Sequence, residues 1–460
     1  MLDDDLASSL AAALRGDVLT AGDPRFEAAR ALHNGMIDLR PRLIARCANV
    51  ADVIAAVNFG RGSGLPVAIR GGGHNGAGLG SVDDGLVIDL TALRGVRVDP
   101  AARTVRVEAG CTTGDVDQAT HAFGLAVPSG IVSTTGIAGL TLGGGHGYLS
   151  GRHGLTVDSL LEADVVLADG SFVTASAESH PDLFWALRGG GGNFGVVTSF
   201  VFRAHPITSV FAGPVAYPVA EAGRIMRRYR DWLPGAPEEL CVFLGLKTVV
   251  SADPFPREHW GERMCLLMTC HDGDEEAGRG ALAPLLEGLP EPFFDWRGTM
   301  PYPAVQSMFD GLLPSGLQWY WRGDLVRDLP DAAIDAHLAW NAEAPSELSV
   351  MHLYPIDGAV RRKAGDAVAW ARRDATWSMV IAGIDPDPAK APALRDWARS
   401  YWEAVHPYSA GGVYPNFLGP EEPDGRLQSS FGANWARLVA AKRRYDPRNL
   451  FRRNNNIPPE

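Results

Sequence analysis

The residues best equipped for chemistry stand where a short apolar run, Pro66 to Ile69, opens into Arg70-Gly71-Gly72-Gly73-His74-Asn75-Gly76, with further glycines at Gly78 and Gly80. Glycines so closely spaced let backbone N–H groups turn toward a bound anion, and let a ligand lie on the main chain with no Cβ in its way. That suits a diphosphate. A loop built only to wrap phosphate has no use for an imidazole, so His74 points to a second task. A later segment repeats the device: Gly136 and Gly139, then Gly143-Gly144-Gly145 and Gly147, with Ser133 and Thr134 ahead of them. Ordinary turns need fewer glycines, and the density argues for close backbone approach to a ligand. A metal site from His74, His146 and His153 is disfavoured, because no helical i, i+4 ligand pair supports it.

The elements around these loops decide between two readings. Gly71-x-Gly73-x-x-Gly76 and Gly190-x-Gly192-x-x-Gly195 both match the dinucleotide fingerprint, which must follow a strand and open a helix. The first runs from a strand at 66–70 through a loop into another strand at 86–90. The second has a helix before it, Pro181 to Arg188, and a strand after it, from Val196. Both Rossmann readings fail. Helices are expected at 6–15, 51–59, 114–122 and 181–187, and strands at 66–70, 86–90, 95–98, 104–108, 164–168, 171–174 and 196–203. Together they describe an α/β cofactor domain over residues 1–205. From Ile207 glycine thins out and aromatics and prolines increase, with apolar runs at 241–246 and 264–269 and periodic helices such as 330–340. An antiparallel sheet with helices on one face is expected over 206–410, forming a substrate domain. A last helix, 434–442, stops at Tyr445-Asp446-Pro447.

Bulk properties narrow the class. At 460 residues the chain suits two domains, and 54 acidic against 42 basic residues give a formal net charge of −12 without a run of five or more like charges. A nucleic-acid partner is disfavoured. Five cysteines, with no C-x-x-C spacing, indicate neither a disulfide framework nor a zinc site. No apolar run approaches the ~18 residues needed to span a bilayer, and the acidic start is unlike a secretory leader. A cytoplasmic location without membrane contact is the expectation, with the oligomeric state open.

Arg70-Gly-Gly-Gly-His74-Asn75, the segment Gly136-Ile-Ala-Gly-Leu-Thr-Leu-Gly-Gly-Gly145 and the ending Tyr445-Asp-Pro-Arg-Asn-Leu-Phe451 resemble the berberine bridge enzyme-like family, FAD-linked oxidases of the vanillyl-alcohol oxidase/PCMH fold. The resemblance runs from about Leu43 to Ile457. It implies an α+β architecture: a PCMH-type FAD-binding domain of two α/β subdomains, a substrate domain with a helix-covered antiparallel sheet, and a C-terminal segment, 411–460, that returns to the FAD domain.

By the same resemblance His74 bonds the 8α carbon of FAD. A neutral imidazole is a competent nucleophile near pH 7. Some members add a second bond from a cysteine, but the matching position here is Val132, so one linkage is expected. Arg70, Gly71, Gly72, Gly73, Asn75, Gly76, Ser133, Thr134, Gly136, Gly139, Gly143, Gly144, Gly145, Gly147, Gly195, Val197, Asn454 and Asn456 are the expected cofactor contacts, with Asp158 an acid beside it. Tyr414, in Tyr414-Pro-Asn416, matches the family's base. A phenol, with pKa near 10, needs a stabilised anion to serve so. His352, Tyr354 and Tyr320 are candidates for a second polar group. The implied reaction is hydride transfer from an alcohol, sugar or secondary metabolite to FAD, with O2 as acceptor giving hydrogen peroxide. Thr135 stands where the family gates oxygen. A dehydrogenase using another acceptor, or a silent flavin-binding protein, is the alternative.

Overall fold

Asn49 caps the helix Val50–Ser63 by accepting from the Asp52 N–H at 3.1 Å, and Gly64 ends it in the left-handed region at φ 72°. The chain is thereby released into the strand Val67–Arg70. In the computed structural model, which describes residues 2–419, 421–422 and 425–460, this strand pairs in parallel with Leu86–Asp89. That strand pairs in parallel with Leu43–Arg46, and Asp17–Leu19 completes the sheet antiparallel. Parallel neighbours are usually joined by a helix. Here the connection is the glycine loop itself, in the strand–loop–strand order expected. Arg70 and Asp89 face each other in register and form a buried ion pair at 2.7 Å, which secures the loop's entrance.

A second, fully antiparallel sheet runs Val96–Asp99, Thr104–Glu108, Val196–Arg203, Leu160–Val166 and Phe172–Ser176. Its fourth strand starts earlier than the 164–168 expected, because it continues directly from the short helix Thr156–Ser159. The two sheets share one core with the helix Pro181–Leu187 and the C-terminal helix Trp435–Tyr445, through Ile88, Val165, Phe200, Leu183, Leu438 and Phe451 among others. Lys442 lies wholly inside this core. Its ammonium donates to Asp446 at 2.7 Å and to the carbonyls of Asn193 and Phe451 at 2.8 and 3.0 Å, so each of its three protons has an acceptor.

The largest sheet is antiparallel, and its central strands are Ser209–Pro218, Arg263–His271, Leu240–Thr248, Val350–Pro355, Trp377–Asp385 and Gln318–Val326 in that order. Strand alternation divides its side chains. Met351, Leu353, Leu244 and Ile381 meet helices Ala222–Trp232, Glu275–Leu286, Asp331–Ala342 and Ala391–Val405. Tyr354, Phe243, Val380 and Met268 face the other way, onto Tyr148 and Leu149 of the first 205 residues. All five cysteines are buried and free. Among the described residues no helix is long and apolar enough to cross a membrane.

Candidate functional site

The two glycine-rich segments meet backbone on backbone. A Cβ built on Gly72 would stand 2.4 Å from the Gly136 nitrogen, and one on Gly136 would stand 2.3 Å from the Gly72 nitrogen. Only glycine permits the crossing. Beside it a cavity of about 350 Å³ runs between the first two sheets and the large one. Bare main chain faces it: at Gly139 and Gly192 a Cβ would meet no atom within 4 Å.

His74 lines this cavity. Its imidazole lies stacked on His33, ring centroids 3.9 Å apart, and is hydrogen-bonded to the backbone of Thr134. Burial, aided by the neighbouring His33, holds its pKa down to about 3 against the pull of that hydrogen bond. The ring is therefore neutral at physiological pH, with one nitrogen anchored and the other left as a nucleophile or acceptor. His33 had no motif around it, and only the stacking reveals it.

Tyr414 lines the same cavity. Its hydroxyl oxygen receives the Gly145 N–H at 2.7 Å and the Asn416 amide at 3.0 Å, and the His146 N–H is a third donor. Burial raises the phenol's pKa to about 12, and the three donors work against it by stabilising the anion. Asn416 is itself fixed, donating to the Leu140 carbonyl at 3.1 Å. The positive φ values of Gly144 (129°) and Gly145 (78°) are what aim the Gly145 N–H at the tyrosine.

The cavity brings together most of the expected set: Arg70, Gly71, Gly72, Gly73, His74 and Asn75 from the first loop; Gly136, Gly139 and Gly143 from the second; and Gly195, Val197, Asn454, Tyr354 and Tyr414. Val132 and Thr135 also line it. Arg70 Nε and Asn454 Oδ1 are buried there without a protein partner.

Other expected contacts stand elsewhere. Asp158 is outside the lining, because its carboxylate is engaged by Arg373 at 2.8 Å, by Lys363 at 3.2 Å and by the Leu155 N–H of its own helix. Ser133 bonds Asp310, and Thr134 faces an adjoining recess. Gly76 lies under the Trp321 ring, which a Cβ would strike at 2.3 Å, and Gly147 packs on the Ser129 carbonyl. Gly144 and Gly145 support Tyr414 instead of lining the space, and Asn456 lies beyond its neighbours Asn454 and Asn455, which do line it. Tyr320 points to the helix side of the large sheet, its hydroxyl 3.3 Å from Glu421. His352 stacks on Tyr354 at 5.0 Å without lining the cavity. Among the described residues no cluster could hold a metal ion. Sequence reasoning did not find His33, Trp319, Trp321, Phe417 or Arg453, which reach the cavity only through the fold.

Glycine backbone, unpartnered polar groups and a neutral histidine around one space fit a dinucleotide with a diphosphate and a reactive ring. Comparison with known proteins agrees. The family model described as an FAD binding domain matches residues 41–176, and that described as berberine and berberine like matches 413–458. An FAD-linked oxidoreductase of Dictyostelium discoideum is 32% identical over 427 residues, 91% of this chain and 89% of that one. The (R)-6-hydroxynicotine oxidase of Paenarthrobacter nicotinovorans is 29% identical, covering 99% of this chain and all of its own. The crystal structure of 6-hydroxy-D-nicotine oxidase from Arthrobacter nicotinovorans superposes with a TM-score of 0.87 at 26% identity, over 97% of this chain and 98% of that one.

Proposed function

Given that the chain belongs to the FAD-linked oxidoreductases of the berberine and berberine-like type, we propose that it oxidises an alcohol, sugar or secondary metabolite, with FAD held by one covalent bond to His74 and O2 as the electron acceptor. When bound, FAD supplies the two-electron hydride acceptor. The observation that carries this reading is that one cavity is lined both by the neutral, anchored imidazole of His74 and by Tyr414, whose oxygen is held by three donors.

The chain's own residues then have separate tasks. Main-chain N–H groups around the crossing of Gly72 and Gly136 would hold the diphosphate, with Arg70 and Asn454 offering unpartnered polar atoms on the cavity wall. His74 would anchor the ring system at its 8α position. Val132 offers no second attachment, and Cys111 is turned away, its thiol 3.7 Å from the Gly95 carbonyl. Tyr414 removes the proton from the substrate hydroxyl or amine. Thr135, small and on the cavity wall, leaves room for oxygen.

Two measurements test the reading. Acid precipitation should leave the yellow colour in the pellet of the wild-type protein and release it from His74→Ala; colour lost wholly to the supernatant from wild type would refute the bond. Stopped-flow reoxidation of the photoreduced protein in air should outpace that of free reduced flavin. A rate no faster than free flavin's would make it a dehydrogenase with another acceptor.

A further inference from the structure

The face of the large sheet that turns toward the cavity is apolar over most of its extent. Its side chains gather in three separate clusters: one with Phe243, Met268 and Tyr354; one with Ala216, Val249 and Leu266; one with Trp319, Val350 and Ala382. Where the three approach one another the sheet carries Gly245, with Lys247 two residues on and His352 opposite Gly245 in register. Strand alternation puts Lys247 and His352 on this same face, with Phe243 and Tyr354. Both residues lie deep among protein atoms, yet neither is sealed: each keeps accessible surface.

Among the described residues the Lys247 ammonium has no hydrogen bond or ion pair. The carboxylate that acts on it through space, Glu347, is itself bonded to the Ser251 N–H and hydroxyl at 2.9 and 2.8 Å. A deeply placed cation without a partner is unfavourable unless something anionic completes it. Register leads from this cation to the cavity. Lys247 pairs with Val350, Val350 with Ala382, and Ala382 with Trp321, which lines the cavity. In the next row His352 pairs with Val380, and its ring stacks on Tyr354, which also lines the cavity. Beside both, a Cβ on Gly245 would meet nothing nearer than 3.7 Å.

We propose that Lys247 and His352 form an anchoring subsite for a carboxylate of the substrate, so that the molecule oxidised is an alcohol or amine carrying an acid group at the end remote from the oxidised carbon. The inference rests on reading the cavity as the oxidation site, and it adds the substrate's charge class. Burial brings the Lys247 pKa down to about 8, which leaves the ammonium mostly protonated at pH 7, while burial with Lys247 nearby holds His352 neutral at about 3. One cation and one neutral N–H match a single negative charge. A dianionic phosphate would leave uncompensated charge in the interior.

The test titrates the flavin-loaded protein with 4-(hydroxymethyl)benzoate, its neutral counterpart 4-(hydroxymethyl)benzamide and 4-(hydroxymethyl)phenyl phosphate, following the flavin absorbance. The benzoate should bind at least about tenfold tighter than the amide, the order expected for a charge-assisted hydrogen bond, and tighter than the phosphate. Lys247→Met should bring benzoate and amide within about twofold of each other, and Lys247→Arg should keep the preference. Equal binding of benzoate and amide by wild type, an unchanged ratio in Lys247→Met, tighter binding of the phosphate or no absorbance change with any of the three overturns the proposal. Tyr414→Phe separates the two readings, since it should slow flavin bleaching and leave the binding ratio intact. A Lys247-dependent ratio with bleaching unaffected by Tyr414→Phe would sink the oxidation mechanism and keep the subsite.

Discussion

At the scale of single residues, Tyr414 is pulled two ways. Burial disfavours its anion, and the Gly145 N–H, Asn416 amide and His146 N–H favour it, leaving a phenol near 12. A base must be deprotonated to act, and below its pKa the phenolate fraction rises tenfold per pH unit, so the rate of flavin bleaching by substrate should climb as pH rises. Tyr414→Phe keeps the ring and removes the oxygen. General-base contributions are typically ~10²–10⁴-fold, so the variant should bleach its flavin slower by that order, lose the rising limb and keep its flavin content. A rate within about threefold of wild type would reduce Tyr414 to a packing residue. The histidine and the tyrosine were legible as residue types in motifs. Their partners were not: His33 stands 41 positions before His74, and no local pattern announces that the two rings stack.

At the scale of elements, the glycine loop and the helix Ile137–Leu142 depend on one contact. Backbone cannot yield as a flexible side chain can, so Gly136→Ala, whose Cβ would sit 2.3 Å from the Gly72 nitrogen, must push the two segments apart. The variant should bind FAD at lower occupancy and melt several degrees lower, as a core clash of about 1–3 kcal/mol implies. Normal flavin content with an unshifted melting curve would show that the crossing relaxes freely. Motif spacing indicated that both segments approach something closely. It did not indicate that they approach each other.

At the scale of the whole molecule, the cofactor half and the large-sheet half are joined at a buried carboxyl. Asp117, on the helix Thr113–His121, faces Gln306 of the helix Tyr302–Gln306, its oxygen 3.3 Å from the amide nitrogen. Burial raises its pKa from 3.8 to about 8. Between those values the folded chain holds a proton that the unfolded chain has lost, so this group's stabilising effect is full below about pH 4 and disappears as pH rises through about 8. Asp117→Asn has nothing to titrate. Wild type should therefore lose melting temperature relative to the variant as pH is raised from 5 to 8; parallel curves would mean that water or an unseen movement already hydrates the carboxyl.

What the amino-acid order determined by itself was local. Glycine density dictates where backbone can lie bare, strand alternation dictates two-faced sheets, and the absence of a helix after Gly76 excludes the Rossmann reading, because each depends on residues a few positions apart. Tertiary structure decided the rest. Asp158 stands outside the cavity lining, its carboxylate paired with Arg373 and Lys363, more than 200 positions away. Tyr354 and Tyr320 fall on opposite faces of one sheet. Lys247 comes to share a sheet face with Tyr354 and Trp321, which line the cavity, only through the pairing of four strands. Charge neutralisation and strand register act between residues far apart in the chain, and spacing along the chain carries no record of them.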